Sequence, residues 1–316
     1  MSTNPPLALS RADLARALCV VLIWGLNFVV MKLGLQGLSP MLLGALRFAA
    51  ASLPLLMFVA RPAMPWRFLA AYGLAQGVGQ FGLLFLGLQL GMTAGMASVV
   101  MQTQAFFTLL LAGPLLGERA QRNQWLGLAV ALAGLLVIAT AHGDGPGQMT
   151  LIGFILTLSA AFMWAASNVV VRFAVRTAPG YDPFGFIVWS SLVPVLPFTL
   201  LAVAMDGPAQ VLRQIGGLDL RALLAVLFLA WFATLLAYTL WTRLLQRHPA
   251  GRVVPFSLLV PVVGLAAAAL AFGEQPSPAQ WLGTAAVLAG LVINQGMAGR
   301  AWGRLTRRPA GVRPQR

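Results

Sequence analysis

Apolar runs of about twenty residues recur from one end of this chain to the other, with no long polar stretch between them. That is the length an α-helix needs to cross the hydrocarbon core of a bilayer. Of 316 residues, 59% are hydrophobic and 9% charged, where an ordinary soluble chain carries roughly 25% charged residues. So much apolar surface cannot be hidden inside a soluble globule, and the solvent is therefore a lipid bilayer. Every backbone polar group within it must then be paired inside the chain. The expected fold is an all-α membrane protein of about ten transmembrane helices.

The runs fall at residues 14–35, 41–60, 67–90, 95–116, 124–141, 151–172, 184–205, 220–244, 251–272 and 280–299. Turn-prone or charged breaks separate them, among them Leu38-Ser39-Pro40, Arg61-Pro62, Gly117-Glu118-Arg119, Gly143-Asp144-Gly145-Pro146, Pro179-Gly180-Tyr181-Asp182-Pro183, Asp206-Gly207-Pro208 and Gln275-Pro276-Ser277-Pro278. No small-residue cleavage site precedes the polar break at Lys32 to Pro40, so the first run is expected to stay as a helix rather than act as a signal peptide. Cys19, the single cysteine, lies in that run and is expected to face lipid or pack. It forms no internal disulfide and anchors no cysteine-based metal site.

The basic residues segregate when alternate loops are assigned to opposite faces. One face collects Arg11, Arg16, Arg61, Arg67, Arg119, Arg122, Arg172, Arg176, Arg243, Arg247, Arg252 and the tail residues Arg300, Arg304, Arg307, Arg308, Arg313 and Arg316; the other has Lys32, Arg213 and Arg221. Positive charge is retained on the cytoplasmic side, so both termini are expected there. A shift of one span would destroy the segregation. The net charge of +14 is accounted for by topology and by anionic headgroups, and no nucleic-acid partner is expected.

An internal repeat emerges when residues 94–137 are laid on residues 250–293, a shift of 156 positions. Gln124-Trp125-Leu126-Gly127 meets Gln280-Trp281-Leu282-Gly283, Leu132-Ala133-Gly134-Leu135 meets Leu288-Ala289-Gly290-Leu291, Ala94-Gly95 meets Ala250-Gly251, and Gly117-Glu118 meets Gly273-Glu274. At the head of each half, Trp24, Val29, Val30 and Lys32 correspond to Trp164, Val169, Val170 and Arg172. The chain divides into a first repeat at 14–141, a second at 151–299 and a basic cytoplasmic tail at 300–316. Five spans per half oblige the second copy to enter the membrane from the opposite face. Two inverted five-helix repeats are a construction of secondary transporters, with the substrate held near the midplane between the halves.

Trp24-Gly25-Leu26-Asn27-Phe28, Leu46-Arg47-Phe48, Gly117-Glu118 and its echo Gly273-Glu274 resemble the EamA-type transporters of the drug/metabolite transporter superfamily, and the likeness covers nearly the whole chain. Within that superfamily, Gln102-Thr103-Gln104-Ala105-Phe106-Phe107-Thr108, Val188-Trp189-Ser190-Ser191-Leu192-Val193-Pro194 and Ser257-Leu258-Leu259-Val260-Pro261-Val262-Val263-Gly264 are similar to bacterial exporters of O-acetylserine and cysteine. The resemblance implies ten helices, a bacterial inner-membrane location and efflux of small amino-acid metabolites. Export of drug-like or cationic amphipathic compounds is the alternative.

Polar side chains within a bilayer are costly and tend to face the bundle interior or an aqueous path. The third run carries Tyr72, Gln76 and Gln80 at steps of four, and the eighth carries Thr234, Tyr238 and Thr242 at the same steps. Such stripes either line a shared cavity or hydrogen-bond between helices, which uses the same residue types. Ser98 and Gln102 share a face of the fourth run, with Gln104 nearby, and Ser257 lies between Pro255 and Pro261 in the ninth, where the prolines free backbone carbonyls at midplane depth. Trp24, Phe28 and Lys32 with Asn27, and Trp164, Asn168 and Arg172, occupy equivalent faces at the head of each half, for solute contact or for packing.

Lys32 and Arg47 are the cations within or at the edge of the spans on the outer half, and no Asp or Glu occupies the middle of any span. That favours a substrate bearing its own carboxylate over a cationic drug, the competing roles being snorkelling for Lys32 and satisfaction of backbone carbonyls for Arg47. Glu118 and Glu274, at helix ends on opposite faces, are expected to pair with loop arginines such as Arg119 or Arg122. An intramembrane enzyme is disfavoured, because His142 and His248 fall in loops and neither a His-Glu-x-x-His nor a Gly-x-Ser-x-Gly string occurs. No cofactor or metal is expected. Protons are a candidate coupling ion, and the oligomeric state is left open.

Overall fold

The computed structural model describes residues 9–142, 148–248 and 250–296, which form helices and connecting turns with no strand among them. Among the described residues, eight helices are long and apolar enough to cross a membrane: α1 (Arg11–Gly34), α3 (Trp66–Gln89), α4 (Ala94–Leu116), α5 (Arg122–Thr140), α6 (Leu151–Thr177), α7 (Pro183–Asp206), α9 (Leu220–Leu245) and α10 (Val254–Phe272). Two apolar helices are shorter, α2 (Pro40–Leu55) and α11 (Pro278–Asn294). At 1.5 Å per residue they reach only about 24–26 Å. The extra helix α8 (Pro208–Gly216) is amphipathic and lies between α7 and α9.

The sequence repeat has a physical counterpart in helix geometry. α3 passes through a π-helical stretch at Gly73–Phe81 and α9 through one at Phe228–Leu236, at the spacing of the repeat to within one residue. α4 and α10 each contain a 3-10 stretch, at Met101–Thr103 and Val254–Leu259. Both end on a left-handed glycine, Gly117 at φ 71° and Gly273 at φ 66°. That conformation penalises any residue with a Cβ.

The repeated Gln-Trp-Leu-Gly string is accounted for residue by residue. Gln124 and Gln280 each close a capping box, accepting from the backbone N–H of Gln121 at 2.8 Å and of Ser277 at 2.9 Å. Trp125 and Trp281 lie on the exposed surface, the place an amphipathic ring takes at a membrane boundary. The glycines make the crossing of α5 with α11. A Cβ on Gly127 would lie 2.5 Å from the Gly290 carbonyl oxygen, and one on Gly134 would lie 2.7 Å from that of Gly283. Since Gly127 and Gly134 are the repeat equivalents of Gly283 and Gly290, the crossing is reciprocal about a pseudo-two-fold axis.

The halves are interlocked rather than side by side. α1 of the first half packs on α9 and α10 of the second, and α6 of the second packs on α3 and α4 of the first. Cys19 is half-buried and packs against the Val20, Ile23, Ala233 and Ala237 cluster where α1 meets α9.

The helix limits correct three of the expected spans, the sixth run continuing to Thr177 rather than ending at 172. α2 ends at Leu55 rather than 60, because Leu53, Pro54 and Leu55 tighten into a 3-10 turn. α11 ends at Asn294, with Gln295 as its C-cap, rather than at 299. The Asp206-Gly207-Pro208 break turns straight into α8, with Pro208 at its first position. The Gly143-Asp144-Gly145-Pro146 break and the 300–316 tail with its six arginines lie outside the described residues.

Candidate functional site

Between the halves lies a cavity of about 300 Å³. It runs from the middle of the bundle, at Trp24, Gln80 and Gln102, toward the end where α1 begins and α11 finishes, where Tyr181, Pro183 and Leu245 line it. Toward the other end the lining stops at Met31, Leu84 and Ser98. The cavity is therefore one-sided.

Its walls are aromatic and amide-rich. Trp24 donates from Nε1 to the Ala233 carbonyl at 3.3 Å and packs edge-on against Tyr238, with ring centroids 5.1 Å apart. Trp241 adds a third ring at 5.4 Å from Trp24. On the facing side Asn168 donates to Gln104 Oε1 at 2.8 Å and to Thr108 Oγ1 at 3.2 Å, joining α6 to α4. Ser167 Oγ, which donates to the Trp164 carbonyl at 2.7 Å, lies 3.4 Å from Gln76 Oε1 where α6 meets α3.

The prolines of α10 have a specific consequence. Pro261 has no N–H to offer the carbonyl four residues earlier, which belongs to Ser257. The Val260 N–H reaches that carbonyl instead, closing the 3-10 turn, and Gln102 Nε2 donates to it as well at 2.7 Å. Ser257 Oγ donates to the Val254 carbonyl at 2.7 Å, so it is the main chain of Ser257, not its hydroxyl, that reaches across to α4. Ser98 likewise donates backward, to the Gly95 carbonyl at 2.6 Å.

Arg47 is fully buried, at 0% exposure, and is the only charged residue among the described lining residues. Its Nε and Nη2 donate to Thr234 Oγ1 at 3.2 and 2.9 Å, and its guanidinium sits 3.8 Å from the centre of the Phe81 ring. Thr234 can accept both because its own proton goes to the Leu229 carbonyl, five residues back in the π-helical stretch. No described carboxylate forms an ion pair with Arg47, and its Nη1 has no hydrogen-bond partner.

Two repeat-equivalent ion pairs stand at opposite ends of the bundle, apart from the contacts of Asp13 with Arg16, Arg247 and His248 where α1 begins. Lys32 Nζ meets Glu274 Oε1 at 2.8 Å, and the same carboxylate accepts from the N–H groups of Ala94 and Gly95 at 2.9 Å each. A carboxylate at the start of α4 is favoured by the helix dipole as well. Arg172 meets Glu118 at 2.7 Å at the other end. The partners expected from sequence, Arg119 and Arg122, are not the ones used. Repeat-equivalent cations at the ends of α1 and α6 reach the glutamates because each first helix packs into the opposite half.

Twelve of the thirteen sequence-selected site residues line the one cavity: Trp24, Asn27, Arg47, Tyr72, Gln76, Gln80, Ser98, Gln102, Trp164, Asn168, Tyr238 and Ser257. Lys32 does not. It follows Met31, the last lining residue of α1, and its charge is already matched by Glu274. Of the eighth-run stripe, Tyr238 and Thr242 line the cavity while Thr234 braces Arg47 from behind. Phe81, Trp241 and Tyr181 were missed. Trp241, one turn beyond Tyr238, carried a usable signal; Tyr181 sits in a segment that reads as a plain turn.

The profile of the EamA-like transporter family matches residues 14–140 and 151–295. A protein named probable amino-acid metabolite efflux pump from Salmonella typhimurium is 44% identical over 286 residues, covering 90% of this chain and 95% of that one. One of the same name from Escherichia coli is 41% identical over the same shares. A probable terminal-alkyne amino-acid exporter from Streptantibioticus cattleyicolor is 28% identical over 92% of this chain and 96% of its own. A solved crystal structure superposes with TM-score 0.61 at 19% identity, over 93% of this chain and 98% of that one, a likeness of fold. Matched in both repeats, this multi-pass membrane protein belongs to the EamA-like transporter family.

Proposed function

We propose that this protein exports small neutral amino-acid metabolites, of the size of cysteine or O-acetylserine, across the bacterial inner membrane by alternating access, with ten spans and both termini cytoplasmic. The observation that carries the reading is the inter-half cavity in which the buried cation Arg47 is the only charge among the described lining residues. A guanidinium held in apolar surroundings without a carboxylate is matched by an anionic group on the solute. Its volume of about 300 Å³ falls at the small end of the roughly 300–1,000 Å³ of small-molecule sites.

The asymmetry of the ends supports the mechanism. Glu274 is 8% exposed and Glu118 48%, so the conformation is sealed at one end and open at the end that the positive charges assign to the cytoplasm. Rocking the halves about the pseudo-two-fold axis would exchange the roles of the two pairs. The relatives named as amino-acid metabolite efflux pumps and as an amino-acid exporter support the substrate class.

The test is uptake of labelled cysteine, O-acetylserine and a cationic dye into inside-out vesicles, with and without a proton gradient. Accumulation of the amino acids is expected, and the gradient arm reads proton coupling directly. Accumulation of the dye alone would overturn the reading in favour of a cationic-compound exporter.

A further inference from the structure

Three of the residues that line the cavity combine deep burial with an unpaired polar atom. Asn27 on α1 is 7% exposed, Arg47 on α2 0% and Gln80 on α3 3%. Asn27 Oδ1, Arg47 Nη1 and Gln80 Oε1 each have no hydrogen-bond partner. Buried polar atoms in native proteins are nearly always paired, so an exception calls for an explanation such as a ligand. Here three exceptions from three different helices share one cavity, and they differ in sign: one cationic donor and two neutral acceptors.

We infer that Asn27, Arg47 and Gln80 form a head-group subsite for a zwitterionic α-amino acid, with Arg47 Nη1 donating to the α-carboxylate and the two amide oxygens accepting from the α-ammonium. The inference rests on the proposed function and names the part of the substrate that the site recognises. Arg47 is held for that role by Thr234 and Phe81, which leave Nη1 as its free donor. An ammonium has three N–H donors and a buried amide carbonyl is its neutral complement. The Trp24, Tyr238 and Trp241 rings offer an apolar wall for the rest of the solute. Because no described lining residue is acidic, a second positive charge on the solute's side chain finds no counter-ion. Lysine-like and arginine-like solutes are excluded on that ground.

The experiment is competition against labelled cysteine uptake in vesicles containing the full chain, using unlabelled cysteine, O-acetylserine, N-acetylcysteine, cysteine methyl ester and cysteamine. The first two keep both head-group charges, the third loses the ammonium, and the last two lose the carboxylate. Cysteine and O-acetylserine are expected to compete at least about tenfold better than the other three, since a site built to hydrogen-bond a group rejects analogues that lack it. Asn27→Leu and Gln80→Leu should narrow the preference for cysteine over N-acetylcysteine. Arg47→Met should narrow the preference over the methyl ester.

Melting temperature separates recognition from a structural role. Replacing an amide whose buried oxygen is unpaired by an apolar group of similar size should leave Asn27→Leu as stable as the parent or more so. Gln80→Leu also gives up the side-chain hydrogen bond between Gln80 and Tyr238 and should melt lower by the worth of that one bond. Should Arg47→Met fail to fold, the analogue ranking of the parent and these two variants still decides the matter. Equal competition by all five compounds with cysteine uptake intact would overturn this inference alone. The same holds if the variants lower the melting temperature but leave the analogue ratios unchanged. No uptake of cysteine or O-acetylserine, with another solute accumulating instead, would overturn the proposed function and this inference with it.

Discussion

Lys32 Nζ lies 2.8 Å from Glu274 Oε1, and the pair ties the end of the first helix to a turn in the opposite half, at the closed end of the cavity. The carboxylate also closes the start of α4 through Ala94 and Gly95. Neutralising either partner is expected to loosen this end. In a Cys19→Ser background, a thiol introduced by Ser98→Cys should react several-fold faster with an external, membrane-impermeant reagent once Glu274→Gln or Lys32→Met is added. Unchanged labelling would mean that packing alone holds the seal.

The equivalent pair at the other end should behave differently. Arg172 and Glu118 are both more than two-fifths exposed, and water screens such a pair to about 0–1 kcal/mol. Glu118→Gln is expected to shift thermal stability by less than about 1 kcal/mol and to leave labelling at Ser98→Cys as it was. A larger loss of stability than Glu274→Gln causes would contradict the open and closed assignment of the ends.

Gln102 is predicted to be needed because Pro261 is present. Gln102→Leu leaves the Ser257 carbonyl with the Val260 N–H as its one donor, at a cost of about 0.5–1.5 kcal/mol, the net worth of one hydrogen bond. Pro261→Ala supplies a backbone N–H at the position from which an α-helix would reach that carbonyl. The cost of Gln102→Leu should therefore shrink in the Pro261→Ala background. A double-mutant cycle on melting temperature measures the coupling; strictly additive effects would exclude it.

Thr234 is predicted to matter through its hydroxyl rather than its shape. Thr234→Val removes the acceptor of two Arg47 N–H groups and should cost about 1.5–3 kcal/mol, the range for hydrogen bonds to a charged group. Thr234→Ser keeps the oxygen and should cost far less. Equal losses in thermal unfolding would assign the effect to the lost methyl contacts instead.

At the α5 and α11 crossing the limit is steric. Gly127→Val would place Cβ 2.5 Å from the Gly290 carbonyl oxygen, a backbone atom that moves only if the whole helix does. Overpacking of this kind costs about 1–3 kcal/mol or more. The expected outcome is a lower melting temperature and less monodisperse protein on size exclusion. The lipid-facing change Leu126→Val one residue earlier should be tolerated, since that side chain is exposed.

What the sequence by itself determined follows from short-range physics and from its own duplication. Apolar run lengths placed the helices because an uncovered backbone is not tolerated in hydrocarbon. The 156-residue offset made the halves equivalent, and steps of four put Tyr72, Gln76 and Gln80 on one face that the structure turns to the cavity. The Gln-Trp-Leu-Gly string was legible as a repeat marker, though its use as cap, boundary ring and helix crossing was not.

Only the tertiary structure decided which groups meet across the halves. Lys32 and Arg47 look alike in sequence, each a cation among apolar residues, yet Lys32 ends on Glu274, 242 positions away, and Arg47 on Thr234, 187 positions away. No local pattern encodes such pairings, because they depend on each first helix docking into the opposite repeat. The same docking determines which end is sealed and which polar atoms remain unpaired. Periodicity reports the face a residue occupies; the partner on that face is decided by packing between elements far apart in the chain.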